Sequence, residues 1–526
     1  MPKRARTELD DAVDRNFVKK CRVGPRRSVS GLSDEILLRI LSFLTFKDLL
    51  VAERVSARFR ALATDREIWK ARYYDAWVRS RVRRRTPIQQ LYKAKQFAKP
   101  SQRLDYGQIP RLSAAADWKR LYKIRSNWDT GAARVREIEI AKAPSPPAVA
   151  KVHQNMVFTV DERAGLRAWS QNDGTRALRS QVKIRTSAQP TCMAVGTVGG
   201  ETRVVLGFDD GGLSLYKFQS AQGFSVECSH TSLDGPLMAV TLAESHIMTI
   251  SKTRFLSVYH TRSKEDSTVA GESLIPIARL QSDASFAPVS IALRKIPGAI
   301  IASIAYAFNR LQSGWCLGLQ EIRLSNAGQV MNSRIASTID TAVDAIKKDG
   351  HHWELTTRST SSLPLPLHPQ LTSAPTSLSY EHPFVVCSLS DNTLMSFLVL
   401  SNTDSLEIHT GRRLWGHTSG VCGVQVNGRG KVVSISSRGN EIRSWELEDV
   451  MTTVVPSRTS TAIKAVDGLA GVVAAMAQRR AGLGLALSEM EKEQALTRRW
   501  VGFDDEQVVI LGDRGQSQIM ALYDFT

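Results

Sequence analysis

The chain has 526 residues, 42% apolar and 23% charged, enough to bury several cores and too apolar for a wholly disordered polymer. Its cysteines, Cys21, Cys192, Cys228, Cys316, Cys387 and Cys422, are scattered without a CxxC pair, which argues against a disulfide framework or structural metal and for reduced thiols in the nucleus or cytoplasm. The net charge of +19 is uneven: residues 1–130 hold 31 Lys+Arg against 14 Asp+Glu, and the other 396 residues hold 39 against 37, so the basic quarter leaves open nucleic acid, an acidic partner, nuclear import, or simply exposed Arg-rich helices.

Residues 1–30 are polar and basic without apolar periodicity, and disorder is expected there. Lys3, Arg4 and Arg6, with Lys19 and Lys20, have the composition of a nuclear localisation signal. The N-terminus lacks the apolar run of a signal peptide, and no stretch is long enough to span a bilayer. No membrane role is expected.

Residues 31–72 read as three short helices. Ser33 is placed to cap the first, with Asp34 and Glu35 in its first turn. From Ile36 to Leu44 this helix, LSDEILLRILSFL, is apolar almost all round. Thr45 ends the run, FKDLLVAERVS makes the second helix, and ARFRALATDREIW the third. About forty residues bury too little surface to be comfortable alone. A helix without a polar face needs a neighbour, from the same chain or another protein.

Residues 73–131 continue as basic helices. Arg79 to Arg85 reads as a solvated face, with nucleic-acid contact as the alternative. In DWKRLYKIRSNWDTG, Trp118, Leu121, Tyr122 and Arg125 share one helical face.

After Gly131 the texture changes to short strands and turns. Residues 414–448 carry Gly416-His417, two alternating runs, a turn, and Trp445. Weaker copies close on Trp169, Tyr216, Tyr259, Phe397 and Tyr523, and 297–324 makes a seventh candidate. Insertions at 261–287, 325–371 and 451–499 absorb the irregular spacing; the second is Ser/Thr/Pro-rich, and the third includes EMEKEQALTRRW, read as a short helix. REIEI (136–140) alternates and is placed to pair beside the last copy, sealing a ring. The alternative is an open β-sandwich or two smaller β-domains.

The N-terminal pattern L-S-D-E-I-L-L-R-I-L-S-F-L, D-L-L, V-S-x-R-F-R-x-L and I-W resembles the F-box. It departs in Leu32-Ser33, where Leu-Pro is usual, and in Phe59, where Trp is frequent. The Trp118–Gly131 segment resembles the linker of F-box/WD-repeat proteins, and the β copies resemble divergent WD repeats. The resemblance implies a multidomain chain, α then all-β. A basic tail (1–30) precedes an F-box (31–72), a helical linker (73–131) that sets the spacing, and a degenerate seven-bladed β-propeller (132–526).

It further implies a non-catalytic substrate receptor of a cullin–RING (SCF-type) ubiquitin ligase. Leu32, Ile36, Leu37, Ile40, Leu41, Leu44, Leu49, Val55 and Trp69 are candidates for docking a Skp-type adaptor, though some must form the internal core. In that family the top face binds the target protein, often through arginines on phosphates. Arg438 and Lys252 occupy such positions; Glu162, Asp209 and Ser390 occupy the corresponding ones elsewhere. The turn NGRG and the Trp445-Glu446 ending put the Asp–His network of ideal repeats in question. The alternative is an F-box scaffold, or a nucleic-acid-associated protein, that directs no ubiquitination.

No catalytic or cofactor motif stands out. GLGLAL (482–487) lacks the third glycine of a dinucleotide loop, and His351, His352 and Glu354 lack metal spacing. No cofactor is expected.

Overall fold

The computed structural model describes residues 31–79, 117–142, 146–172, 175–184, 188–261, 274–281, 287–310, 314–338, 371, 373–402, 405–409, 411–437, 441–447, 460–465 and 496–526. It divides into a helical N-terminal unit, which runs to Trp77 and takes in Asp117–Lys119, and a second unit, the β unit, which holds all the described β-strands and includes Arg120–Thr526.

The helical unit holds α1 (Asp34–Leu41), α2 (Phe46–Ala52), α3 (Ala57–Ala63), α4 (Arg66–Tyr73) and a π turn over Tyr74–Val78. Ser33 is the N-cap of α1 by backbone, but its side chain makes no capping bond. Instead Arg58 ties the start of α1 to α3, donating to Asp34 Oδ1 (2.9 Å from Nε) and to the Leu32 carbonyl. Thr45 and Asp48 form a reciprocal capping box on α2. The single third helix expected over residues 57–69 is in fact two. Thr64 Oγ1 bonds back to the Arg60 carbonyl, and Asp65 caps a new helix through the Glu67 and Ile68 amides. Trp69 Nε1 then donates to the Ala63 carbonyl at 2.8 Å, locking that bend. Within this unit Trp118 packs on Tyr73, and Lys119 Nζ pairs with Glu53 at 2.6 Å.

Among the described residues the β unit consists of seven sheets, antiparallel apart from the short pairing of Lys464-Ala465. Blades 1 to 6 span 149–182, 190–230, 237–281, 289–337, 375–415 and 421–462; blade 7 is 496–524 completed by the strand Ala132–Lys142. The first strand of each blade touches that of the next, and blade 7 touches blade 1, so the ring is closed. Closure is the predicted pairing: Arg136 to Glu139 run antiparallel to Leu522 through Ile519. Arg514 reinforces it, bidentate on Glu137 at 2.7 and 2.9 Å. Lys464-Ala465 pair in parallel with the outer edge of that strand and cover it.

Middle strands are sandwiched between neighbouring blades, so they read as continuous apolar runs rather than alternating ones. Phe384–Leu389 in blade 5 is buried throughout. The closing aromatics Trp169, Tyr216, Tyr259, Phe397, Trp445 and Tyr523 are all buried on third strands, each opposite a Val or Ile of the second strand. Blade 4 keeps the strand pairing but ends its third strand on Ile322 and Leu324.

The expected insertions are shorter than the sequence suggested. Leu274–Gln281 is the fourth strand of blade 3, Val330–Ser337 that of blade 4, and Thr461–Ala462 that of blade 6. Each is an outer, half-solvated strand whose sparse apolar pattern hides it among loop residues. EMEKEQALTRRW runs into the strand Leu496–Phe503, the first of blade 7, rather than ending as a helix; its residues before Leu496 lie outside the described set.

A helix, α5 (Trp118–Thr130), precedes the closing strand. From Arg120 on it belongs to the β unit. Arg120 pairs with Glu506, Arg125 with Glu446, and Trp128 stacks on Phe525 at 3.8 Å while donating to the Asp505 carbonyl. Lys431 of blade 6 sits over the Trp128 ring at 3.1 Å. Burial depresses its ammonium to about 7, while the ring face favours the charged form. Gly131, at φ +72, turns the chain from α5 into the closing strand.

Candidate functional site

The helical unit sorts its apolar residues by helical phase. Leu37 and Leu41 lie four apart on the inner side of α1 and are 1% and 2% exposed. Leu49 and Trp69 are buried too. These four candidate docking residues are therefore core residues. Leu32 and Leu44 are half-buried. The candidates left on the surface are Ile36, Ile40 and Val55, at 50%, 44% and 66% exposure.

Three residues outside the candidate set join them: Phe43, Leu50 and Val51, at 73%, 40% and 61%. Ile36, Ile40 and Phe43 follow the i, i+4, i+7 spacing, the signal from which Phe43 was legible. Arg39 stacks on Phe43 at 4.8 Å and fixes that ring at the surface. A small unit whose interior is already filled thus keeps a second set of large apolar side chains exposed. This has the make-up of an interface core rather than of a folding core.

On the β unit, one face collects the turns between second and third strands together with the segments entering each blade. The Lys252 amide donates to the Pro236 carbonyl, Asp209 and Gln189 bond reciprocally, and Asn392 Nδ2 reaches the Thr418 carbonyl. Asp161, Asp210 and Asp391 close their turns by accepting amides two or three residues on. Lys252, Glu162 and Asp209 are exposed there, and Arg413 is held by Asp391 at 3.1 Å. The charges are mixed, and the described residues bring together no arginine cluster of phosphate-binding type. Arg438 lies outside the described residues, as do Lys3, Arg4, Arg6, Lys19 and Lys20.

The polar network of the clearest repeat is retained in part, with different members. His417 Nε2 and Trp445 Nε1 both meet Ser434 Oγ, at 2.7 and 2.8 Å. Glu441 takes the acidic place, its carboxylate 3.6 Å from His417 Nδ1 and accepting the Thr418 amide at 2.6 Å. Burial pushes His417 down to about 4, so the ring is neutral at pH 7. Blade 1 repeats the motif in part, Trp169 Nε1 donating to Thr159 Oγ1 at 2.9 Å. The doubt raised by the NGRG turn and the Trp-Glu ending stands in part for blade 6: the His417–Ser434–Trp445 links are made, but Glu441 lies beyond hydrogen-bond distance of His417 Nδ1, which has no hydrogen-bond partner among the described residues.

Comparison with known proteins follows the same division. An F-box-like family matches residues 34–75, and the F-box protein pof12 beta-propeller family matches residues 133–526. No curated protein matches the chain. Among solved structures the chain is similar to the WD40 beta propeller domain of Doa1, at 11% identity over 74% of this chain and 96% of that one, TM-score 0.39. It is also similar to the Myceliophteria thermophila Cps50 (Swd1) beta-propeller domain, at 7% identity over 74% and 100%, TM-score 0.42. With the propeller match alone spanning most of its length, and an F-box-like domain ahead of it, the chain belongs to the F-box protein pof12 beta-propeller family.

Proposed function

We propose that this chain is the substrate-binding subunit of an SCF-type cullin–RING ubiquitin ligase. The exposed apolar set centred on Ile36, Ile40 and Phe43 docks a Skp-type adaptor, and the propeller holds a target protein. The observation that carries this reading is a filled interior beneath an exposed apolar face: Leu37, Leu41 and Leu49 complete the core without Ile36, Ile40 or Phe43. F-box domains generally bind Skp1-type adaptors, and such a face supplies the apolar anchors that interfaces need. The subunit performs no chemistry. It raises the effective concentration of target lysines near a charged conjugating enzyme. Entry into the nucleus through Lys3, Arg4, Arg6, Lys19 and Lys20 belongs to the same proposal, tested by imaging a Lys19→Ala/Lys20→Ala variant.

The test is co-purification of the full chain with a Skp-type adaptor and a cullin, beside an Ile36→Glu/Ile40→Glu variant. A complex formed by the parent and lost in the folded variant supports the reading. A parent chain that is folded yet binds no adaptor overturns it.

A further inference from the structure

Six of the seven blade junctions are closed by side chains that are mostly fully buried. The junction of blades 3 and 4 has a buried core too, of Met248, Leu256, Val258, Ile300, Ala302, Ile322 and Leu324, but more partly covered apolar side chains pack against it than at the other junctions. Ile250, Leu280 and Ile304 are among these partly covered side chains, and beside them the two sheets leave a cleft of about 520 Å³. Phe255, Tyr306, Ile322 and Ile335 line it, with Gln281 and Gln320 as polar groups. Ile335 is 62% exposed, and Val330 beside it 48%. Apolar surface of this extent, concave and half wet, is the form of a ligand site.

The charge around the cleft is one-sided. No Asp or Glu is among its described lining residues, and Arg254 stands at its wall. Arg254 shares the exposed turn of blade 3 with Lys252. Lys252 is exposed in that turn. Asp234, just before this blade, is already taken up by Arg279 Nε at 2.8 Å and Ser257 Oγ at 2.7 Å, and Glu244 within it pairs with Lys295 at 2.8 Å. An apolar slot with cations at its rim selects a partner that is apolar at one residue and anionic beside it.

We propose that the cleft between blades 3 and 4 receives one large apolar side chain of an acidic segment of the target protein, whose carboxylates meet Arg254 and Lys252. This rests on the substrate-receptor reading and gives it a place and a chemistry. The apolar residue supplies the anchor, and the carboxylates set register and on-rate.

The test uses the full-length chain and a fluorescent peptide array in which a central Leu, Phe or Ala is flanked by Asp or by Lys. Asp-flanked Leu or Phe peptides bind, and the Ala and Lys-flanked sets bind at least about tenfold more weakly. Binding falls with added salt. It falls by a similar factor in Lys252→Glu/Arg254→Glu and in Ile335→Glu, all surface changes whose folding is checked by thermal melting. Equal binding of Asp- and Lys-flanked peptides, or unchanged binding in both variants, overturns the proposal. So does the absence of binding together with a lowered melting temperature in Ile335→Glu, because the chain itself then fills the cleft. Adaptor co-purification is measured in parallel. Its loss in the parent overturns the ligase reading, whereas its retention without peptide binding overturns only the cleft.

Discussion

Replacing Ile36, Ile40 and Phe43 together by Ala separates docking from folding. Their exposures of 50%, 44% and 73% leave between one and two whole side chains of apolar surface for a partner. At about 2 kcal/mol for each fully buried side chain, the triple variant loses about 3 kcal/mol of adaptor affinity, roughly a hundredfold. The same change costs the chain's own stability less, because these side chains gain only part of their burial on folding. Leu41→Ala behaves in the opposite way. The residue is 2% exposed, so truncation opens a cavity and destabilises the helical unit by about 2–5 kcal/mol. Isothermal titration of the full chain with a Skp-type adaptor gives the first quantity, and thermal unfolding followed by circular dichroism the second. A folded triple variant that binds the adaptor within about twofold of the parent refutes the assignment.

Three further outcomes follow from the propeller. In Gly131→Ala the new Cβ falls 2.0 Å from the Ala462 carbonyl oxygen at a φ of +72; the left-handed backbone alone costs about 1–2 kcal/mol, and a lowered melting temperature is expected. Glu321 is fully buried between Arg294 (2.6 Å), Arg334 (2.9 Å) and the Ser401 hydroxyl, which join blades 4 and 5. Glu321→Gln removes the negative charge paired with both guanidinium groups, which keep, among the described residues, only their bonds to Ser401 and to the Asn402 and Ser405 carbonyls, so urea unfolding is expected to show a loss of about 3 kcal/mol. His246 and His417 are both pushed down to about 4, chiefly by burial. Unfolded histidines titrate near about 6.5, so between these values the unfolded chain binds more protons. Stability is full above about 6.5, falls as the pH drops through this window, and stops falling below about 4. Denaturant midpoints at successive pH values are expected to show a flatter acid limb in a His246→Gln/His417→Gln variant.

The sequence alone determined the order of the parts. Alternation in REIEI located the closing strand, and six closing aromatics located the third strands, because pairing and burial in a blade depend on a local period of two. Apolar runs located α1 and α2 for the same reason, with a period near four. The sequence could not see the outer strands Leu274–Gln281 and Val330–Ser337, which face solvent on one side and therefore carry a diluted pattern.

Only the tertiary structure decided which face of α1 is interior. Leu37 and Ile36 are equally apolar, and nothing local distinguishes them; the packing of α3 against α1 does. It also decided that Glu441, not the residue after Trp445, stands beside His417, since the two are brought together by the fold and not by chain proximity. The cleft between blades 3 and 4 is likewise a property of two sheets that cover each other only in part. Burial is a relation between distant segments, so a sequence can state that a residue is apolar but not what covers it.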